Sequence, residues 1–328
     1  MLKCSYIYTI LLFTLIFFYV TPSFSEEPLM LFNADETGFS NIYTVKLNGT
    51  DLKKITNTKD YDFWPRWSKK AGKILFCSMS YTQNGYGNSK ILIMDAKGNN
   101  RQKLTAGEYD DYFPNWSPDG KKIVFQSYRD GNGEIYIMDS NGKNVKRLTK
   151  DNYDDSFPSF TPDGKKILFQ SRQSKKIKLM FINTDGTDIQ PVLKEEDIES
   201  FNSVPNLPPS SRRPARIEGG NNEFSPDMSH DGKKIYFVID NFNMSPQIYE
   251  YDIIKKTTKQ ISSQVENGNI FMYEYVSVSP DNKILLLTCM SDQESLKKRI
   301  PYILNLEDKT RKKVIDVDFN IWFPTWME

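Results

Sequence analysis

Carboxylates recur at one register of this chain. Asp62, Asp111, Asp155 and Glu223 each stand two residues before the residue that precedes a proline, in Trp64-Pro65, Phe113-Pro114, Phe157-Pro158 and Ser225-Pro226. Asp110 and Asp154 add a second acid in two of these places. Carboxylates gathered at one end of a fold repel one another unless something positive sits among them. A Ca²⁺-like cation bound by oxygen ligands would serve, and so would a basic segment of a partner. Asp62, Asp111 and Asp155 are therefore the metal candidates, and no organic cofactor is expected. The same residues also have a structural use, because Asp before a strand caps nearby amides as an Asx turn.

Other chemistry is thinly represented. The single histidine, His230, occupies the proline position of a turn. There is no G-x-S-x-G elbow, no Cys/His set at zinc spacing and no Gly-rich phosphate loop. The net charge of +1 gives no global argument for nucleic acid. Catalysis by paired carboxylates would want their pKa values split, with a His, Lys or Arg committed beside them. The reading is therefore a binding protein and not an enzyme. The alternative is a lyase or glycoside hydrolase acting on a saccharide through the acidic arc.

The elements that must position these acids are repeats. The fullest copy runs from Tyr109 through Phe113-Pro114-Asn115-Trp116-Ser117-Pro118-Asp119-Gly120 to Ser127, then Glu134 to Asp139, then Arg147-Leu148-Thr149. Its turn tetrad recurs at Ser68, Thr161, Ser229 and Ser279, which makes five complete units, numbered here repeats 2 to 6. A split unit, repeat 1, takes its opening from Ile321 to Trp326 and the rest from Leu29 onward. A fixed period of tens of residues marks solenoids and propellers. Each unit reads as four short strands: Pro-Asp-Gly makes a tight turn, and alternating and β-branched segments follow. The expected fold is all-β, a six-bladed β-propeller whose first blade is closed by the C-terminal strand. Phe113, Trp116 and Phe125, with Trp64, Trp67, Phe76, Phe157, Phe160 and Phe169, are the expected core between blades. Pro114 suits an innermost strand with a free edge. The acids then form an arc at one channel mouth, open at repeats 6 and 1, where Tyr273 and Ile321 take the position.

The run F-P-x-W-S-P-D-G-K-K-I-x-F-x-S, followed by I-Y-x-M-D and L-T, resembles the WD-like propeller repeats of the TolB family. The resemblance covers nearly all of residues 26–328 but not the separate α/β domain found in TolB. It implies a propeller that binds partner peptides at a channel mouth with cation involvement, and an envelope protein as partner. Related repeats also occur in propellers of prolyl oligopeptidases and polysaccharide lyases.

Residues 1–25 read as a secretory signal: Lys3, an apolar stretch from Ile7 to Val20, and Ser23-Phe24-Ser25 before the cut. The alternative is an uncleaved anchor, for which the stretch is short. The expected location is periplasmic or secreted, with no stable membrane span after cleavage, as a monomer. Of the three cysteines, Cys4 precedes the apolar stretch, and Cys77 and Cys289 are expected as buried thiols. An insertion over 194–221 is Pro-rich and basic, and it either forms a surface loop or brings Arg212, Arg213 and Arg216 to the acids as a lid. Tyr81 and Tyr86, on the loop between the second and third strands of repeat 2, are candidate contact residues.

Overall fold

A computed structural model describes residues 28–36, 38–83, 85–173, 176–193, 225–239, 246–262, 265–266, 269–291 and 298–327. The signal segment 1–25, most of the 194–221 insertion with Arg212, Arg213 and Arg216, and Glu223 all lie outside these residues. Among the described residues every regular element is a β-strand, and no helix is long and apolar enough to cross a membrane.

The strands form a propeller of antiparallel sheets. Three four-stranded sheets stand alone, opening on Asp111–Trp116, Asp154–Phe160 and Asp227–Met228. A five-stranded sheet contains Asn269–Val278, Ile284–Ser291, Ile300–Asn305 and Arg311–Lys313. The remaining large strands share an eight-stranded sheet. In it Asn320–Met327 pairs antiparallel with Leu29–Glu36, and Met30 lies opposite Trp326. Among the described residues the two halves of that sheet pair only where Ser40 is opposite Tyr61, in parallel, and otherwise pack through Leu31 and Ile42 against Ile74 and Phe76.

Sequence signals map onto this architecture residue by residue. At four of the five tetrads the Ser or Thr hydroxyl donates to the Asp two residues on: Ser117 to Asp119 (2.6 Å), Thr161 to Asp163 (2.6 Å), Ser229 to Asp231 (2.7 Å) and Ser279 to Asp281 (2.6 Å). Gly120 and Gly164 both take φ +70°, which the turn requires and a side chain would resist. The Thr at the L-T position accepts a hydrogen bond from an amide of the third strand: Ile42 N donates to Thr56 Oγ1, Ile91 N to Thr105 Oγ1 and Ile135 N to Thr149 Oγ1, at 2.9 to 3.1 Å. The Trp after the proline ties neighbouring sheets together. Trp116 Nε1 donates to Arg66 O and Trp326 Nε1 to Ser277 O, each 3.2 Å.

The core lies between the sheets. Phe76, Phe125 and Phe169 are buried, and Trp67 and Phe160 pack on the same clusters. Trp64, Phe113 and Phe157 were expected in this core and are found elsewhere. They are half-buried at bulges in the innermost strands and stack on one another around the axis. The register slip at each bulge swings the aromatic out of the sheet-to-sheet interface. Cys77 and Cys289 are buried, and no disulfide joins them.

Strand Asn320–Met327 covers Met30, Phe32 and Ala34, and its own Ile321 and Trp326 are buried. Deleting 318–328 exposes that surface. The melting temperature should fall by roughly 10 °C or more, read by tryptophan fluorescence or calorimetry; an unchanged melt would contradict the pairing.

Candidate functional site

The described acids of the predicted arc, Asp62, Asp110, Asp111, Asp154 and Asp155, lie at the start of innermost strands, but each has its own surroundings. Asp62 is fully buried, and Arg101 binds it with two 2.7 Å bonds, from Nη1 to Oδ2 and Nη2 to Oδ1. Arg101 comes from the outer edge of the same sheet, lies over the Phe76 ring and also donates to Ser78 Oγ (2.8 Å). Asp111 is equally buried and meets Arg129 Nη2 at 3.3 Å, while its Oδ2 has no hydrogen-bond partner. In repeat 6, Arg311 Nη1 donates to Tyr273 Oη (2.7 Å), so an arginine answers this position even where no acid stands.

Asp110 and Asp154 hold neighbouring repeats together. Asp110 Oδ1 accepts Ser89 N (2.7 Å), and Asp111 N donates back to Ser89 O (3.0 Å). Asp154 Oδ1 accepts Gly133 N (2.9 Å), and Asp155 N donates to Gly133 O (2.7 Å). Asn320 and Ile321 repeat the clasp on Arg299. The amides capped here belong to the preceding repeat, not to the strand that follows the Asp, so the local Asx-turn reading is replaced by an inter-repeat bond.

Asp155 differs from its counterparts. It is fully buried, no arginine among the described residues reaches it, and only the Ser171 and Thr149 hydroxyls lie near its carboxylate, neither in good hydrogen-bond geometry. Thr149 is close but spends its hydroxyl proton on Glu134 Oε2 (2.7 Å). Burial pushes the Asp155 carboxyl up to about 7; the Ser171 and Thr149 hydroxyls oppose this, and the charges of Asp151 and Glu134 add to it. One oxygen each of Glu134, Asp151 and Asp155 lie within 4.8 Å of one another. This is the only such group among the described residues, so Asp62 and Asp111 do not converge with Asp155 on one ion. The chemistry of the set suits an oxygen-liganded cation, although Glu134 already holds Arg147 (2.6 Å) and Asn132 (2.9 Å). Sequence reading missed Glu134 because it sits in the third strand of repeat 3, outside the repeated acid register.

Tyr81 and Tyr86 form a small exposed hairpin, at 52% and 43% exposure. They pack edge to face on each other, and Tyr81 also meets Phe39 and Tyr86 meets Tyr61. Asp60 Oδ1 accepts Tyr81 N, and Asp35 Oδ2 accepts Tyr61 Oη (3.1 Å). Aromatic and acidic groups therefore share this mouth.

On the axis, Phe323, Trp64, Phe113 and Phe157 form a collar, with ring centroids 5.0, 3.9 and 3.7 Å apart in that order. All four have left-handed backbone (φ 47° to 52°), and each is followed by proline. Such strain costs on the order of 1–3 kcal/mol per residue and persists only where surroundings enforce it. Beyond the collar a cavity of about 240 Å³ is lined by the residue after the proline position of every repeat: Thr325, Arg66, Asn115, Ser159, Asp227 and Ser277.

Removing Arg101 leaves a buried, uncompensated carboxylate. Arg101→Met should destabilise the protein by about 3–5 kcal/mol, with Asp62→Asn recovering most of the loss in the double variant, by denaturant unfolding. For Asp155 the folded-state value lies above the unfolded one, so the native protein keeps a proton that the unfolded chain releases. That stabilising contribution is whole below about pH 4 and is lost as pH rises through about 7. The melting temperature should fall between about pH 5 and pH 8, and Asp155→Asn should flatten the fall.

Comparison with known proteins fits this architecture. Residues 79–213 match the family model of the TolB beta propeller domain. No curated protein sequence matches the chain. TolB from Acinetobacter baumannii superposes with a TM-score of 0.69 at 19% identity, covering 91% of this chain and 66% of that one. The chain thus spans about two thirds of that TolB's length. A putative TolB from Agrobacterium tumefaciens gives 0.63 at 15% identity, covering 92% of this chain and 98% of that one. Oligogalacturonate lyase from Vibrio parahaemolyticus gives 0.53 at 15% identity, covering 88% and 74%. At these identities the structures share the fold. Together with the matched segment, they show that this chain shares the β-propeller fold and that residues 79–213 are similar to the TolB beta propeller domain.

Proposed function

We propose that the chain closes as a six-bladed ring and acts in the cell envelope as a non-catalytic binding propeller, taking a protein segment at the mouth that carries the acids. The eight-stranded sheet would then be two blades touching at Ser40 and Tyr61, with the last strand completing the first blade. A single cavity lined from all six repeats supports the count. The observation that carries the function is the mouth itself. Exposed Tyr81 and Tyr86 stand beside Asp35 and Asp60, an apolar and acidic face suited to a basic, aromatic-containing peptide. The arginine-neutralised Asp62 and Asp111 act as its rigid base. Arg212, Arg213 and Arg216 remain part of the proposal as a basic segment of this chain that competes for the same face. The location proposed is periplasmic or secreted, following removal of residues 1–25, with the protein a monomer.

A cation at Glu134, Asp151 and Asp155 belongs to the same proposal. Ca²⁺ would replace the Asp155 proton and relieve the repulsion among the three acids. Added Ca²⁺ at about pH 8 should raise the melting temperature of the protein and leave that of Asp155→Asn unmoved; equal shifts would remove the ion from the account.

One observation favours the enzymatic alternative: Asp155, held near neutrality, has the pKa a general acid–base would use. Against it, arginines neutralise Asp62, Asp111 and Glu134, which leaves Asp151 alone as the carboxylate beside Asp155 and no cation committed to the pair among the described residues. Immobilised protein is expected to retain a stoichiometric partner from envelope extracts, and Tyr81→Ala with Tyr86→Ala to weaken retention about tenfold or more. Saccharide turnover lost in Asp155→Asn would instead install the enzyme.

A further inference from the structure

The axial cavity is separate from the mouth just described. Every residue lining it lies at or beyond the collar aromatic in its strand, and the acids of the arc lie before it. The collar rings divide the two. The six residues after the proline position include one cation and one anion, Arg66 and Asp227.

Those two charges stand three repeats apart. On the six-bladed reading, on which this inference rests, they face each other across the axis, and no ion pair joins them among the described residues. Arg66 spends one N–H on Pro65 O (3.0 Å) and lies over the Tyr275 ring, 5.5 Å from its centre. The Tyr275 hydroxyl takes a second N–H, and the rest of the five guanidinium donors have no partner among the described residues. Asp227 accepts Met228 N at 3.0 Å and Val278 N at 2.8 Å, one amide on each oxygen, which leaves further lone pairs. Burial raises the Asp227 carboxyl above its ordinary range, against the Val278 amide, His230 and Arg66. Between the two charges, Ser159 Oγ is buried with no hydrogen-bond partner. Unsatisfied polar groups around one cavity are costly unless something fills it.

We propose that this ring binds a small zwitterion with a carboxylate at one end and an ammonium at the other: a free amino acid or a dipeptide. Arg66 takes the carboxylate, as a planar guanidinium does with two parallel bonds. Asp227 takes the ammonium, and Ser159 hydrogen-bonds between them. Phe113, Phe157 and Tyr275 supply apolar walls for the side chain. A cavity of about 240 Å³ holds the liquid volume of about eight waters at about 30 Å³ each, which suits one large amino acid or a small dipeptide. A ligand with only one charge would leave the opposite group unmet, so discrimination against blocked ends is built in.

Calorimetry on the full chain tests this with phenylalanine and glycyl-phenylalanine, alongside the N-acetylated and C-amidated dipeptide. Either unblocked ligand should bind, and each block on the dipeptide should weaken binding by about tenfold or more. Arg66→Met should erase the penalty for the amide, and Asp227→Asn the penalty for the acetyl group. Should Asp227→Asn unfold because it caps two amides, Arg66→Met and the blocked ligands still decide. No heat with either unblocked ligand up to about 10 mM, or equal affinity for blocked and free ends, overturns the site. The melt of the chain lacking 318–328 reads ring closure independently. A closed ring that ignores dipeptides refutes this inference alone, whereas an unchanged melt refutes the ring beneath it.

Discussion

The middle strands of each sheet are apolar on both faces, and this constrains everything else. Ile74 to Cys77 and Ile123 to Phe125 are buried at consecutive positions, which a sheet with one wet face does not allow. Such a sheet is stable only between two others, so the unit of folding is the stack. The directional bonds follow that logic. Trp116 Nε1 reaches the backbone of the previous repeat, and the clasps of Asp110 on Ser89 and Asp154 on Gly133 do the same at the other end of the strand. These bonds cross between repeats, fixing spacing where hydrophobic contact alone would tolerate slippage.

Burial on both faces leaves the axis as the place where variation is tolerated. At the bulge, an aromatic in left-handed backbone followed by proline turns the innermost strand so that the next residue points into the channel. The proline has no N–H to lose, and the axial edge has no strand to pair with. The same conformation occurs in repeats 1 to 4. In repeat 6, Tyr275 holds the corresponding place without the positive φ and still packs on Phe323 (5.6 Å). The collar is thus a product of the repeat, while the residues below it are free to differ.

That division explains what could be read from the chain. The four strands per repeat, the Pro-Asp-Gly turns, the L-T cap and the terminal pairing of Ile321 to Trp326 with Met30 to Ala34 all rest on repeat segments with a fixed internal spacing. The arc of acids was visible for the same reason. Their partners were not: Arg101 lies 39 residues from Asp62 and reaches it across the width of a sheet, whereas the arginine for Asp111 comes from a loop. Trp64, Phe113 and Phe157 looked like core because aromatics at a repeated position usually are. Only the register slip, a three-dimensional property, sends them to the axis. Arg66 and Asp227 left no signal, because a position that varies this widely between repeats does not register as part of one.

The two ends of the channel therefore have different physical characters. At the acid mouth most charges are answered within the protein, by Arg101, Arg129, Arg147 or backbone amides, while burial raises the Asp155 carboxyl above its ordinary range. What remains for a partner is mainly aromatic surface with acidic margins. Below the collar the situation is reversed, since Arg66 and Asp227 face a space that Lys69 and His230 also line, with no ion pair between them among the described residues. Electrostatic preorganisation of that kind destabilises an empty site and rewards a ligand that meets both charges. A repeat architecture can maintain it because the strain and burial that hold the ring belong to positions other than the two that carry the charge.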